Sequence, residues 1–314
     1  RWLCVPSRKQ AGNSSDAGAG GDGIFVSVDA TMNRACLAGV TVGDGLGVAV
    51  MGALNVSPDS FYAGSVARSG DDLVRLAEQM LAGGAAFLDV GAMSTAPYLQ
   101  SEIPASEEAD RLASAVHLLV TKLDARVSAD TSRALPARAA LQAGARLIND
   151  VRGLTGDPGV ARAVADAGAG LILMASERGG HEDVPPVETV LALLEESLAI
   201  AFQAAVSPDG IVVDPGIGFF RRRGIPWYEW DCRVLASLGR LRELGRPVCL
   251  GVSRKSFIGA LAGEDDPARR LPGSLAATAA AVLGGAHMIR CHDVAETLQA
   301  VKVALGVHRA REAG

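Results

Sequence analysis

Aromatic residues make up only 4% of the 314-residue chain, so a core has to be assembled from Ala, Val, Leu and Ile rather than from stacked rings. Cysteine is as sparse. The five residues Cys4, Cys36, Cys232, Cys249 and Cys291 are an odd number, widely scattered and without a CxxC pair. That pattern suits reduced thiols in a cytoplasmic setting better than a disulfide framework or a zinc site. No apolar run reaches the ~18 residues of a membrane span, and nothing near the start reads as a signal peptide. Basic residues are in slight deficit, 30 Lys and Arg against 35 Asp and Glu. This leaves no general attraction to nucleic acid or to an anionic membrane.

What is present is apolar and regular: 49% hydrophobic and 21% charged residues, with 37 glycines, enough for one large core with many short turns. Residues 1–47 stand apart as an extension. Within them, 10–23 is a run of Gly, Ala, Ser and Asp expected to be mobile. Its GAGGDG at 18–23 formally matches GxGxxG but has neither a strand before it nor a helix after it, so it is no dinucleotide fingerprint. Residues 40–51 read as a hairpin turning at Gly43-Asp44-Gly45.

From residue 48 a rhythm sets in. Short apolar runs at 48–56, 86–90, 126–130, 146–150, 171–175, 211–214, 248–252 and 287–291 read as strands. Between them lie helical spacings, such as Leu73, Leu76, Ala77, Met80 and Leu81, or Val187, Val190, Leu191, Leu194 and Leu198. Ser106 followed by Glu107 and Glu108 reads as a capped helix start. Strands alternating with helices imply parallel pairing, and continuous apolar strands imply burial on both faces. Eight such units over about 260 residues point to an α/β fold, a (β/α)8 TIM barrel spanning 48–306, with a short tail at 307–314. The rival open doubly wound sheet has fewer strands and a glycine-rich first turn.

Barrel active sites lie at the carboxyl ends of the strands, and here nearly every strand ends in a polar or charged residue. Asn55, Asp89, Asp130, Asn149 with Asp150, Met174, Asp214, the run Ser253-Arg254-Lys255-Ser256, and Arg290 with His292-Asp293 form a ring. Taken singly, Asp150 or Asp293 reads as a helix cap and His292 as a surface histidine. Capping does not explain Lys255, Arg290 and Asn55. Asp130, Asn149 and Asp214 can pair with the donor-rich edge of an aminopyrimidine. Lys255, Arg290 and His292, from the last two strands, make a cationic corner of the kind these barrels use for phosphate.

The stretches MGALNVSPDSF at 51–61, LDVG at 88–91 with Ser94 and Thr95, Asp130-Thr131, INDV at 148–151, DPGIGF at 214–219, GVSRKSFIG at 251–259, GSLAA at 273–277 and RCHDV at 290–294 carry a resemblance. In this order the sequence resembles the dihydropteroate synthase family of pterin-binding barrels. The resemblance implies folate biosynthesis: the amine of 4-aminobenzoate displaces pyrophosphate from 7,8-dihydropterin-6-ylmethyl diphosphate. It implies pterin binding by Asp130, Asn149, Met174, Asp214 and Lys255, and pyrophosphate binding by Asn55, Arg290 and His292, with Mg2+ at Asn55. By the same resemblance Lys255, Arg290, His292 and Asn55 would carry the catalysis, Thr95, Pro97, Phe219 and Ser256 would face the aminobenzoate, and a homodimer through the last helices is expected.

This chain departs from the family pattern in its loops. Ala63 stands in place of an acid, Ala96 in place of an arginine, Ala175 in place of a histidine, and Phe220-Arg221 in place of Gly-Lys. Three other readings follow. One is a transferase for a different arylamine, a phosphorylated one meeting Arg221 to Arg223, a run whose bland reading is a solvated loop. Another is a pterin-binding paralogue without turnover. The third, a methyltetrahydrofolate-binding methyltransferase, has no use for the Ser-Arg-Lys and Arg-x-His-Asp corner.

Overall fold

A computed structural model describes residues 32–56, 67, 69–93, 103–178, 184–221 and 224–312. Thr95, Pro97, Ala63, Ala96, Arg222, Arg223 and the glycine-rich run at 10–23 lie outside the described residues. The strands are β1 (Arg34–Leu37), β2 (Val40–Gly43), β3 (Ala49–Asn55), β4 (Phe87–Gly91), β5 (Val127–Asp130), β6 (Leu147–Asp150), β7 (Gly170–Met174), β8 (Ile211–Asp214), β9 (Cys249–Gly251) and β10 (Met288–Cys291). The helices are α1 (Gly70–Ala82), α2 (Ala105–Leu123), α3 (Ala134–Gln142), α4 (Gly159–Ala167), α5 (Pro186–Gln203), α6 (Trp227–Ala236), α7 (Ser256–Ala262), α8 (Leu271–Leu283) and α9 (Val294–Glu312).

All eight expected strands form, and β3 to β10 make one parallel sheet in the order β8-β7-β6-β5-β4-β3-β10-β9. The two edges meet at a parallel bridge between Val213 and Val248, where the Val213 N–H donates to the Pro247 carbonyl at 3.0 Å. The ring closes there into the barrel. Outside it, α1 buries Leu73, Ala77 and Met80, and α5 buries Val187, Val190, Leu191, Leu194 and Leu198, the faces read from spacing. Small residues let these layers approach: a Cβ on Gly52 of β3 would lie 2.6 Å from Met80 Sδ. No described helix is long and apolar enough to cross a membrane.

The two-residue period of a strand sorts the barrel interior into storeys. Met51, Phe87, Leu147, Ile172, Val212, Cys249 and Met288 form one buried apolar cluster with Ala35, Leu37 and Val42 of the β1–β2 hairpin. The hairpin therefore plugs the amino-terminal end. Two positions further along the same strands stand Asp89, Asn149, Met174, Asp214 and Arg290. A greasy floor thus carries a polar storey above it.

Four local expectations change. The hairpin lies one strand earlier than 40–51, joining β1 and β2 through Ala38 and Gly39 at φ 48° and 81°, the paired positive values of a tight two-residue turn. Gly43 and Gly45 do adopt positive φ, but their segment leads into the barrel because Asp44 is anchored elsewhere. Ser106 does not cap α2, which starts at Ala105 behind Pro104. Glu108 is instead buried, accepting from Thr131 Oγ1 at 2.5 Å and Arg133 at 3.1 Å. At the far end α9 continues to Glu312, so helix occupies most of the span read as a tail. Cys232, Cys249 and Cys291 are free thiols, whereas Cys36 is disulfide-bonded, against the expectation of five reduced cysteines.

Asp44 ties the plug to the barrel. Its carboxylate accepts two bonds from Arg242 at 2.6 and 2.8 Å, one from the Asn33 N–H at 2.9 Å, and contacts His287 Nε2 at 3.0 Å. His287 Nδ1 accepts from the Val248 N–H, so its ring proton sits on Nε2 and points at Asp44. Burial alone would raise the Asp44 pKa, but these bonds outweigh it and hold the carboxyl below its usual range. Asp44→Ala is expected to cost about 1–2 kcal/mol at pH 7, the Arg242 share being discounted for exposure. A depressed carboxyl stabilises above its unfolded pKa and loses that effect in acid. Urea denaturation at descending pH is expected to show the wild-type advantage shrinking below pH 4.

Candidate active site

The polar storey opens at the carboxyl ends of the strands, and its centre is Arg290 on β10. Arg290 Nε donates to Asp89 Oδ2 at 2.6 Å and Nη2 to Asp130 Oδ2 at 2.9 Å, while Asn149 Nδ2 donates to Asp89 Oδ2 at 3.0 Å. One cation thus serves two buried carboxylates, leaving the group a net negative charge. Burial pushes Asp130 up to about 7, opposed by Arg290 and reinforced by Asp89, Glu108 and Asp150. Asp89 Oδ1 and Asp130 Oδ1 are buried without a hydrogen-bond partner among the described residues. Such atoms are costly unless something donates to them. Asp89 was visible at a strand end but had no assigned role; nothing in one sequence says which acid an arginine two hundred residues away will meet.

Asp214, at the end of β8, anchors the second half of the site. Its Oδ1 accepts from the Gly216 N–H at 2.8 Å, and burial raises its pKa against the pull of Lys255. Gly216 has φ 74°, and a Cβ there would stand 2.3 Å from the Ala175 carbonyl oxygen, so only glycine fits this turn. Lys255, just before α7, donates through Nζ to the Ile217 carbonyl and lies 4.6 Å from the Phe219 ring centre. Burial pulls its ammonium down to about 8, against Asp214 and Asp231. Asp231 on α6 went unread in the sequence. It accepts from the Gly218 N–H at 2.8 Å from behind the loop, and burial lifts it to about 6.

The structure redraws the cationic corner. Arg290 turns inward onto the carboxylates. His292 is half-buried beside Arg290, Arg254 and Lys255, and desolvation followed by those three charges drives its pKa down to about 3. It is a neutral imidazole, not a third cation. Its Nδ1 lies 2.9 Å from Ser253 Oγ. Arg254 serves the scaffold: 4% exposed, it pairs with both Asp293 oxygens at 2.8 Å and donates to the Pro267 and Ala268 carbonyls. Asp293 is therefore a counter-ion. Asp150 folds back onto its own loop and ties it to the preceding one, accepting from Arg152 and Leu154 and from Ser132.

On the side of the altered loops, Arg221 is not a solvated arginine. Its Nη2 donates to Ser256 Oγ at 2.7 Å, its guanidinium lies 4.1 Å over the Trp227 ring, and its N–H reaches Glu177 at 3.0 Å. Asn55 stands half-buried at the end of β3. Among the described residues no three His, Cys, Asp or Glu side chains gather into a metal-holding group. A lone amide oxygen fits Mg2+ that is carried chiefly by substrate phosphates and water.

A family model described as pterin binding enzyme matches residues 51–292. The dihydropteroate synthase of Mycobacterium leprae is 40% identical over 270 residues, 82% of this chain and 92% of that protein. This chain belongs to the dihydropteroate synthase family. The family's Escherichia coli K12 member is 35% identical, covering 84% of this chain and 93% of its own. Dihydropteroate synthase structures agree in fold: one from Yersinia pestis with a sulfonamide drug complex has a TM-score of 0.78 at 32% identity, covering 88% and 99% of the two chains. One from Xanthomonas albilineans in complex with 7,8-dihydropteroate has a TM-score of 0.74 at 34% identity, covering 87% and 98%.

Removing the shared cation should expose the cost of the polar storey. Arg290→Met leaves Asp89 and Asp130 without a counter-ion, a change worth about 3–5 kcal/mol. Without Arg290 the folded-state pKa of Asp130 rises further above its unfolded value, so protonation relieves the variant. Denaturation midpoints are expected to show a larger loss at pH 8 than at pH 5; equal losses would mean that the carboxylates do not feel Arg290.

Proposed function

We infer that the protein is a dihydropteroate synthase: a transferase of folate biosynthesis that joins 4-aminobenzoate to 7,8-dihydropterin-6-ylmethyl diphosphate with release of pyrophosphate. The observation that carries this reading is a pair of buried oxygens, Asp89 Oδ1 and Asp130 Oδ1, without a hydrogen-bond partner among the described residues. They sit at the strand ends that also carry Asn149 and Asp214, with Lys255 acting on Asp214. A pterin offers an amino group and ring N–H donors beside carbonyl and ring-nitrogen acceptors. Asp130, Asn149 and Asp214 take the donors, Met174 packs beside the ring, and Lys255 donates to the acceptors. Asp89 joins them, although sequence reasoning did not assign it.

In the reaction the bond from the pterin methylene to the diphosphate oxygen breaks, its electron pair leaves with the diphosphate, and the arylamine nitrogen bonds to the methylene and sheds a proton. Positive charge spreads over the pterin as the leaving group departs, and the net negative Asp89–Asp130–Arg290 group offsets it. Arg290 orients both carboxylates while lending its charge to the diphosphate, and His292 donates a neutral hydrogen bond there. Asn55 would hold Mg2+, which when bound would supply positive charge to the diphosphate oxygens. Phe219, Ser256, Thr95 and Pro97 receive the aminobenzoate. The guanidinium of Arg221 on Ser256 fits the carboxylate of that substrate, so a phosphorylated arylamine is not required.

This reading has the enzyme working as a homodimer in the cytoplasm. Val303 and Val307, one turn apart on α9 and 69% and 44% exposed, supply an apolar stripe for a second copy. The three free thiols agree with a reducing compartment; the disulfide at Cys36 does not.

The test is direct. With dihydropterin diphosphate, Mg2+ and 4-aminobenzoate, one pyrophosphate is expected per dihydropteroate formed, and chelating Mg2+ is expected to stop both. Asp214→Ala and Lys255→Ala are expected to abolish pterin binding by calorimetry. Pterin binding without product would leave the non-catalytic paralogue, and normal pterin binding by both variants would refute the site.

A further inference from the structure

Ser253 and His292 stand just beyond the ends of the neighbouring strands β9 and β10, the seventh and eighth of the barrel, where this architecture builds its phosphate sites. Two contacts join them. The His292 main-chain N–H donates to Ser253 Oγ at 3.3 Å, and the same Oγ lies 2.9 Å from His292 Nδ1. A serine hydroxyl has one proton to give. The Ser253 oxygen already accepts from the main chain, and it has no other hydrogen-bond partner among the described residues. Were Nδ1 the donor, this 7%-exposed hydroxyl would accept twice and its own proton would be left without an acceptor. The economical arrangement is a hydroxyl that donates to Nδ1.

We propose that Ser253 is a positioning residue that fixes His292 in its Nε2–H tautomer, so that the ring meets the diphosphate as a hydrogen-bond donor. The opposite tautomer turns a lone pair toward an anion and repels it. In the ligand-free site, desolvation beside Arg290, Arg254 and Lys255 disfavours a second proton on the ring, so the nitrogen that carries the single proton decides whether a neutral ring offers the diphosphate a donor or a lone pair. This rests on the reading that the diphosphate binds at His292, and it adds a function for the serine of Ser253-Arg254-Lys255.

Histidine-selective nitrogen-15 NMR reads the tautomer directly, with the His292 signals assigned by their loss in His292→Gln. In wild type Nδ1 is expected to show the shift of an unprotonated ring nitrogen and Nε2 that of a protonated one. In Ser253→Ala the two are expected to average or exchange, with inorganic pyrophosphate bound at least about tenfold more weakly. In the same variant KM for the pterin diphosphate rises while affinity for a pterin lacking the diphosphate stays unchanged, and Ser253→Thr, which keeps the hydroxyl, restores both signals and binding. A protonated Nδ1 in wild type overturns the proposal, as does wild-type pyrophosphate affinity in Ser253→Ala. If wild type fails to bind pyrophosphate at all, the diphosphate site itself is lost, whereas the NMR still decides the tautomer.

Discussion

Arg290 carries a single positive charge into a barrel interior that also holds Asp89, Asp130 and Asp214, and the way that charge is divided sets the character of everything around it. Two carboxylates share it at 2.6 and 2.9 Å, so neither is fully compensated. A fully neutralised interior would be more stable and chemically inert. An undercompensated one has oxygen atoms left over for a ligand that brings its own donors. The desolvation cost of such groups is met by the apolar floor and the helical shell, built chiefly from buried Ala, Val, Leu and Ile.

The groups around that centre are each displaced from their solution behaviour, in directions that serve one end. Lys255 holds its proton less tightly, Asp130 and Asp214 more tightly, and His292 sheds its charge altogether. The site presents one strong cation, one adjustable cation and a neutral donor against a surplus of carboxylate. On the proposed function, positive charge developing on a bound heterocycle would be compensated on one side, and a leaving anion would meet donors on the other. Lys255 and the glycines at 216 and 218 form one unit in this respect. The loop's carbonyl takes the lysine's proton-bearing nitrogen, and a side chain on Gly218 would press to 3.0 Å of the lysine Cδ.

Much of the scaffold was legible because strand length, apolar continuity and helical spacing are local signals. All eight barrel strands and the buried faces of α1 and α5 follow from them. The ring of polar strand ends was legible for the same reason, since barrel topology alone brings those ends together. What escaped was pairing. Asp89 meets Arg290, Glu108 meets Arg133 and Thr131, and Arg254 meets Asp293, each across separations that carry no local signature. The ionisation state of His292 escaped too, because it depends on desolvation by the fold and on three cations converging in space. The hairpin was displaced by one strand because Gly43-Asp44-Gly45 carries turn chemistry while Asp44 spends its side chain on long-range anchoring.

The β1–β2 hairpin also bears on where this molecule can be cut. Its Ala35, Leu37 and Val42 are the lid on Met51, Phe87, Ile172 and Met288, and all of these side chains are buried. A fragment starting at the first barrel strand would bare a hydrophobic disc at the base of the cylinder and lose the aspartate that clasps His287 and Arg242. Such a fragment would self-associate through that disc before its catalytic rim could be assayed, so the minimal folding unit begins upstream of the barrel.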